Sequence, residues 1–378
     1  VILENFAHTL EEVLPRTPVK HVVVASLGDL LGVKGLIVNF VVRNVKKMVP
    51  AFELPNAERF NAVIAEGSGK SMTPFPTNHD DIAFLQYTGG TTGVSKGAML
   101  THRNILANIA QASANLVHAL HGETPVIITA LPLYHIFSLT VNCLLMAKMG
   151  GLNILITNPR DIPAFVKELA KHKYNMITGV NTLFNAFLNN AEFHKLDFSH
   201  VKICVGGGMA VQKAVADRWK QVTGKVLLEG YGLTETSPCA TMNPPSLTDY
   251  NGSIGLPLPS TMIAIRDDDK KDVAVGQPGE ICIKGPQVMK GYWQRPDETA
   301  KVLGPDGYLY TGDVGVMDDL GFVRIVDRKK DMILVSGFNV YPNEIEQVVA
   351  MHPGVLAGAA SGVPDEHSGE VPKVFIVK

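Results

Sequence analysis

The chain has 378 residues, 46% of them hydrophobic and 19% charged, so it can bury a large core and divide into more than one domain or subdomain. A net charge of −2 excludes a general pull toward nucleic acid or anionic lipid, and no apolar run is long enough to span a bilayer. Cys143, Cys204, Cys239 and Cys282 are widely spaced with no Cys-x-x-Cys, which excludes a zinc site or a disulfide framework and fits buried free thiols in a reducing compartment.

Residues 1–50 carry little chemistry. The apolar run 36–42, followed by Arg43, Lys46 and Lys47, reads as a core helix with a solvated end, a basic membrane-touching face being the less favoured alternative. Residues 67–76 read as a loop. A strand at 82–85, expected to be buried, then runs into Tyr87-Thr88-Gly89-Gly90-Thr91-Thr92-Gly93-Val94-Ser95-Lys96-Gly97-Ala98. Residues 98–100 form a second short apolar piece, and Thr101 caps a helix whose Ile105, Ile109, Ala112, Leu116 and Leu120 fall at helical spacing. Glycines let main-chain N–H groups approach phosphate oxygens, hydroxyls add donors or a metal ligand, and a lysine adds a point charge, so the loop suits a polyanion. It is not a Walker loop: Ser95 stands before Lys96 where the second glycine is required, and Gly97 follows where Ser or Thr should stand. An ordinary hairpin loop would explain the glycines but not the lysine among so many hydroxyls.

Residues 126–131 read as a strand ending at Pro132-Leu133-Tyr134-His135-Ile136-Phe137, where His135 is either a hydrogen-bonded core histidine or a site residue. Strand-like pieces then alternate with helical ones. Strands are expected at 152–157, 176–178, 201–205 and 226–228, with helices on Ile162, Phe165, Val166 and Leu169, over 183–188, and over 211–222. Repeated strand–helix–strand units predict a parallel sheet with helices on its faces, and ligands of such sheets bind at the carboxyl ends of the strands.

Three segments leave those ends: 179–182, Gly206-Gly207-Gly208-Met209, and Glu229-Gly230-Tyr231-Gly232-Leu233-Thr234-Glu235. One glycine would suffice for a tight turn, so three suggest room for a flat ligand such as an adenine ring, on which Tyr231 could stack. Glu235 could cap the next helix. A carboxylate facing a phosphate loop is unfavourable unless a divalent cation lies between them, which points to magnesium. Beyond Asn251, β-like runs at 262–265, 280–284 and 322–326 predict a small antiparallel or barrel-like subdomain, with Gly291-Tyr292-Trp293 read as mostly structural. Tyr310-Thr311-Gly312-Asp313 reads as a turn, and Asp327-Arg328-Lys329-Lys330-Asp331 as a charged linker.

Taken together, these strings resemble, in order and at matching spacing from about Asp81 to Lys378, the signatures of the adenylate-forming (AMP-binding) enzymes: acyl-CoA synthetases, luciferases and peptide-synthetase adenylation domains. Residues 306–332 look most like the fatty-acyl signature of bacterial long-chain fatty acid–CoA ligases. The resemblance implies an α/β fold: a large N-terminal domain of helix-covered β-sheets with a small β-barrel-like subdomain (1–326), then a truncated α+β lid (327–378) hinged at Asp327. It implies ATP-dependent ligation of a long-chain fatty acid to coenzyme A through an acyl-adenylate. The alternatives are an acyl-AMP ligase serving a carrier protein, and a non-catalytic nucleotide- or fatty-acid-binding fragment.

Residue by residue, the resemblance implies that Lys96 and the Thr88, Gly89, Gly90, Thr91, Thr92 and Gly93 backbone, flanked by Tyr87, hold the β- and γ-phosphates. Glu235 and Thr88 hold Mg2+. Gly206, Gly207, Gly208, Glu229, Gly230, Tyr231, Gly232 and Thr234 face the nucleotide, with Tyr231 on adenine. Asp313 binds both ribose hydroxyls, Arg328 contacts the nucleotide, and His135 lies beside the acyl carboxylate. Val180, Leu183 and Phe184 are candidates for the acyl tunnel wall. The start at Val1 and the end in a strand-like run predict a fragment, the first portion of the family's N-terminal domain lying before Val1 and its adenylating lysine beyond Lys378. A cytoplasmic setting with peripheral contact at the inner face of the membrane, homodimerisation, and no nucleic-acid partner complete the expectations.

Overall fold

Runs such as Met-Ile-Thr-Gly and Ile-Cys-Val-Gly, apolar on both sides, suit strands covered on both faces. In the computed structural model, Leu227–Gly232, Ile203–Gly206, Met176–Gly179, Val126–Thr129 and Leu152–Leu155 lie side by side in parallel, in that order. Cys239–Met242 and Leu256–Pro257 extend the first edge in antiparallel fashion, giving seven strands. The structure describes all residues except 89–94, 337, 353, 356, 366 and 378, and of Asn339 only the backbone. It divides into two compact units, 1–76 and 77–378.

Helix His102–Leu116 covers one face of the sheet. Its Ile105, Ile109, Ala112 and Leu116 pack in one cluster with Leu145, Met146, Met176 and Val205. The helix starts where predicted: the Thr101 hydroxyl accepts from Asn104 N–H at 3.2 Å, and the Asn104 carboxamide oxygen accepts from Thr101 N–H at 2.9 Å. Helices Ile162–Leu169, Asn181–Leu188 and Lys213–Thr223 cover the other face around Phe165, Phe184, Phe187, Phe193 and Trp219. Phe184 meets Trp219 edge-on, with centroids 4.8 Å apart at 75°. Truncating any of these rings to alanine should cost about 3–5 kcal/mol. Leu183 and Phe184 are thus core residues of this face, which corrects their assignment to a tunnel wall.

The strand expected to be buried is half of a two-stranded antiparallel ribbon, Ile82–Thr88 with Lys96–Thr101. Ala98 and Leu100 are fully buried, whereas Ile82 and Leu85 are 37% and 40% exposed. An apolar run therefore marked the ribbon's position but not its inner strand. After the large sheet come Met262–Arg266, Gly279–Lys284, Leu309–Met317 and Val323–Arg328, a four-stranded antiparallel sheet in chain order whose register sets Asp313 opposite Arg328 and Val314 opposite Asp327. The last sheet runs Phe338–Val340, Ile333–Val335, Gly369–Val377, Ala357–Asp365, with helix Pro342–Ala350 against its outer strand.

In the unit 1–76, Ile2–Leu3, Val23–Ala25 and Glu58–Arg59 form a small parallel sheet, and buried Glu4 takes a 2.8 Å ion pair from Arg43. The run 36–42, expected to be a core helix, spans helix Val33–Phe40 and the π-helical turn Val41–Val45 and is mostly not buried: Leu36, Ile37 and Phe40 are each more than half exposed, and of the run only Val42 lies inside. Apolar composition without a polar face could not distinguish the two. No helix among the described residues is long and apolar enough to cross a membrane.

Candidate active site

The carboxyl ends of the parallel strands open on a cleft of about 1720 Å3. Tyr87, Thr88, Lys96, His135, Gly207, Gly208, Glu229, Gly230, Tyr231, Gly232, Thr234, Glu235, Asp313 and Arg328 all line it, so residues up to 241 positions apart in sequence converge there (328 − 87). Gly206 does not line it, and Gly89, Gly90, Thr91, Thr92 and Gly93 lie outside the described residues.

Each position of the glycine run has a structural reason, close packing at Gly206 and Gly207 and backbone conformation at Gly208. A Cβ on Gly206 would stand 2.5 Å from Val211 Cγ2, one on Gly207 would sit 3.1 Å from both Gly230 O and the Phe137 ring, and Gly208 has φ +75°. The three glycines are therefore not spare room, although Gly207 and Gly208 do leave bare backbone on the cleft.

Strand Leu227–Gly232 delivers the next groups. Glu229 is 5% exposed and accepts Val211 N–H at 2.8 Å, and burial raises its carboxyl to about 7. Two residues on, the Tyr231 hydroxyl donates to Asp313 Oδ2 at 2.6 Å, while Arg328 Nε lies 3.5 Å from Asp313 Oδ1. Burial pushes both the Tyr231 hydroxyl and the Asp313 carboxyl up in pKa. The Tyr231 hydroxyl thereby fixes Asp313, a link between two motifs that the sequence reading treated separately.

Asp327 is 3% exposed and uses both oxygens: Oδ1 accepts from Arg328 N–H at 2.7 Å, and Oδ2 from Asn343 N–H at 3.0 Å in the first turn of helix Pro342–Ala350. A carboxylate at that end of a helix takes up a free N–H and meets the positive end of the helix dipole.

The ribbon forms the opposite wall. Its strand Lys96–Thr101 carries residues 289–293 along its edge through Met99 N–H to Gly291 O and Trp293 N–H to Gly97 O, both 2.8 Å, while Met289 N–H bonds Glu235 O. This lays Tyr292 between the loop lysine and the acidic residue. Its hydroxyl donates to Glu235 Oε1 at 2.6 Å, and its ring lies 4.9 Å from Lys96 Nζ. Lys96 also pairs with Glu298 Oε2 at 2.9 Å. Sequence reasoning missed both partners. Tyr292 was read as structural, and Glu298, in the first turn of helix Pro296–Val302, looks like an ordinary dipole-favoured acid.

His135 is exposed on the cleft, and its Nδ1 accepts Phe137 N–H at 3.3 Å, so it is not a core histidine. Past it the lining turns apolar: Leu116, Ile136, Val141, Met176 and Val205, beneath the sheet on the His102–Leu116 side.

Hard oxygen donors suit magnesium, which keeps waters and phosphates and needs one or two protein ligands. The Glu235 carboxylate and Thr88 hydroxyl meet that need, the ribbon packing against turn Thr234–Thr236. Among the described residues no group of three or more His, Cys, Asp or Glu side chains gathers, so a cage made wholly of protein side chains is not built there.

The mixed α/β fold sets a lysine-bearing ribbon and a buried, tyrosine-held aspartate on one cleft at the strand ends. The chain belongs to the AMP-binding enzyme family, whose model matches residues 6–293. Among its relatives are long-chain-fatty-acid–CoA ligases of Yersinia pestis, 60% identical, and of Escherichia coli O6:H1, 58% identical; both matches cover 100% of this chain and 67% of the relative. Solved structures of the same fold include ATP-bound MatB from Rhodopseudomonas palustris (29% identity, TM-score 0.77, 94% of this chain and 68% of that one). Another is o-succinylbenzoate CoA synthetase (MenE) from Bacillus subtilis with ATP and magnesium ion (26%, 0.74, 99% and 73%).

Proposed function

We propose that this chain carries the nucleotide and acyl sites of a long-chain-fatty-acid–CoA ligase, which activates a fatty acid with ATP as acyl-AMP and passes the acyl group to coenzyme A. The observation that carries the reading is a single cleft whose lining runs from polar and charged residues to the apolar Leu116, Ile136, Val141, Met176 and Val205. Family membership and relatives of that activity at 58–60% identity support it.

A carboxylate resists nucleophiles because of its charge and resonance. Its oxygen first bonds to the α-phosphorus of ATP as the bond to pyrophosphate breaks. The thiol sulfur of coenzyme A then bonds to the acyl carbon as AMP leaves, and the thiol proton is lost. The first step brings two anions together, so fixed positive charge should dominate catalysis. We assign Lys96 and the main chain of 88–93 to the β- and γ-phosphates, and Glu235 with Thr88 to magnesium, which when bound neutralises phosphate charge. Asp313, oriented by Tyr231 and Arg328, takes the ribose hydroxyls. Tyr231 and the Gly207–Gly208 backbone face adenine, and His135 faces the acyl carboxylate where the lining turns apolar. The acyl chain runs along Leu116, Ile136, Val141, Met176 and Val205 in place of the wall first expected at Val180, Leu183 and Phe184.

We assign residues 1–326 to the adenylation domain and 327–378 to a lid that turns about Asp327. That motion would have to break the 3.4 Å bond from the Asn343 side-chain amide to Val326 O. Peripheral binding to an anionic membrane is also proposed, through exposed Leu36, Ile37 and Phe40 flanked by exposed Lys34, Lys46 and Lys47. Ile37→Glu should then lower co-sedimentation with phosphatidylglycerol vesicles, and an unchanged pellet would refute it.

The deciding experiment is acid-dependent exchange of radiolabelled pyrophosphate into ATP, with acids of graded length, run on protein that extends beyond Lys378 to include the adenylating lysine expected there. Exchange peaking with long acids is expected. No exchange with any acid, by folded protein that binds ATP, would overturn the reading.

A further inference from the structure

Lys96, the one cation the loop motif supplies, already has a negative partner. Its Nζ lies 2.9 Å from Glu298 Oε2, and the two side chains are only 27% and 30% exposed, so the pair is partly shielded from solvent. The Tyr292 ring backs the lysine on another side. Glu298 cannot easily give up its charge: ion pairs with Lys301 and then Lys96 hold its carboxyl down at about 2, so it stays anionic across the working pH range. Helix Pro296–Val302 starts three residues after Trp293, whose N–H is tied to Gly97 O, so the carboxylate is anchored to the same ribbon that carries the lysine.

We infer that Glu298 is a built-in competitor for the phosphate-binding lysine: a polyphosphate and the Glu298 carboxylate carry the same sign and contend for the one Lys96 ammonium. The inference rests on the reading of Lys96 as a phosphate ligand. Its consequence is that binding of the pyrophosphoryl portion is weaker than the loop alone would give. Both ATP and the pyrophosphate product are therefore held less tightly, while the adenosine portion is untouched. Glu298 touches no reacting atom in this scheme. It acts through Lys96.

The test compares wild type with Glu298→Gln, which is isosteric and keeps the first helical turn, and with Asp297→Asn. The second variant removes the same unit of charge from a neighbouring, exposed position that forms no ion pair with Lys96. Affinities for inorganic tripolyphosphate, ATP and adenosine are measured by calorimetry at fixed ionic strength. Glu298→Gln should tighten tripolyphosphate and ATP on the order of three- to fivefold and shift adenosine by less than about twofold, the scale of a partly exposed ion pair. Asp297→Asn should change all three by less than about twofold. In a Lys96→Met background, Glu298→Gln should lose its effect. Unchanged or weaker tripolyphosphate binding in Glu298→Gln would overturn the inference, as would an equal gain from Asp297→Asn, which would make it a matter of general field. If Lys96→Met left ATP and tripolyphosphate binding intact, the phosphate-site reading would fall first and the inference with it.

Discussion

The two ends of the cleft are built on opposite terms. At the polar end charged groups already have protein partners: Lys96 pairs with Glu298, Glu235 with the Tyr292 hydroxyl, and Asp313 with Tyr231 and Arg328. At the other end Leu116, Val141 and Met176 make no directional bonds and are held in the main core by packing alone. Charged groups left unpartnered in a partly buried cleft would be costly, so they are satisfied internally in geometries a ligand can take over. The apolar end needs only shape. The first end should therefore respond to charge and the second to volume.

The sharpest way to break that contrast is to remove charge at the ribbon end. Lys96→Met or Glu235→Gln should each lower acid-dependent pyrophosphate exchange on the order of 10²-fold or more, the scale found for positioned electrostatic groups. Thermal stability should move far less than exchange, because both side chains are only partly buried. Exchange within about threefold of wild type for Glu235→Gln at saturating magnesium would remove that residue from the metal role.

How much of this was legible depended on the kind of signal. Lys96, Tyr231, Glu235 and Asp313 could be picked out because they stand in strings that resemble those of the AMP-binding enzymes, and all four line the cleft. What connects them was not legible. That Tyr231 holds Asp313, or that Tyr292 sits between Lys96 and Glu235, depends on strand register and on a segment threaded along the ribbon edge, and neither has a local signature. The parallel sheet was visible in its strand–helix alternation, and Thr101 as a cap. Which apolar residues line a cavity and which fill a core was not visible. Phe184 and Met176 are equally apolar and lie on opposite faces of one sheet, yet Met176 lines the cleft and Phe184 does not.

Glu229 stands between the two regimes, buried like the apolar end yet ionisable, and it sharpens the comparison through pH. Burial raises its folded pKa from 4.5 to about 7. Below pH 4.5 the folded and unfolded chains are both protonated and the group contributes nothing. Between 4.5 and 7 the unfolded chain ionises first, so folding stability falls as pH rises and levels off above 7, with a total loss on the order of 3 kcal/mol. Glu229→Gln removes this titration. Compared by urea denaturation at pH 5 and pH 8, the variant should gain on wild type as pH rises. A gap that stays constant across that range would mean that the Val211 N–H bond and its surroundings stabilise the charged carboxylate after all.

The smallest expected effect probes the apolar end alone. Val141 is 8% exposed in the main core and lines the cleft beside Leu116 and Met176. Val141→Phe adds volume there without touching any charged group. One methylene of lost fit is worth about 1–3 kcal/mol in a hydrophobic pocket, so kcat/KM for a long acid should drop about tenfold relative to a short one while the KM for ATP stays within about twofold. The added ring can also strain the core, at about 1–3 kcal/mol, so the ratio between acids is the informative quantity, not the absolute rate. A uniform loss across all chain lengths would mean that the hydrocarbon takes another route, and a changed KM for ATP would mean that the two ends are mechanically coupled across the sheet.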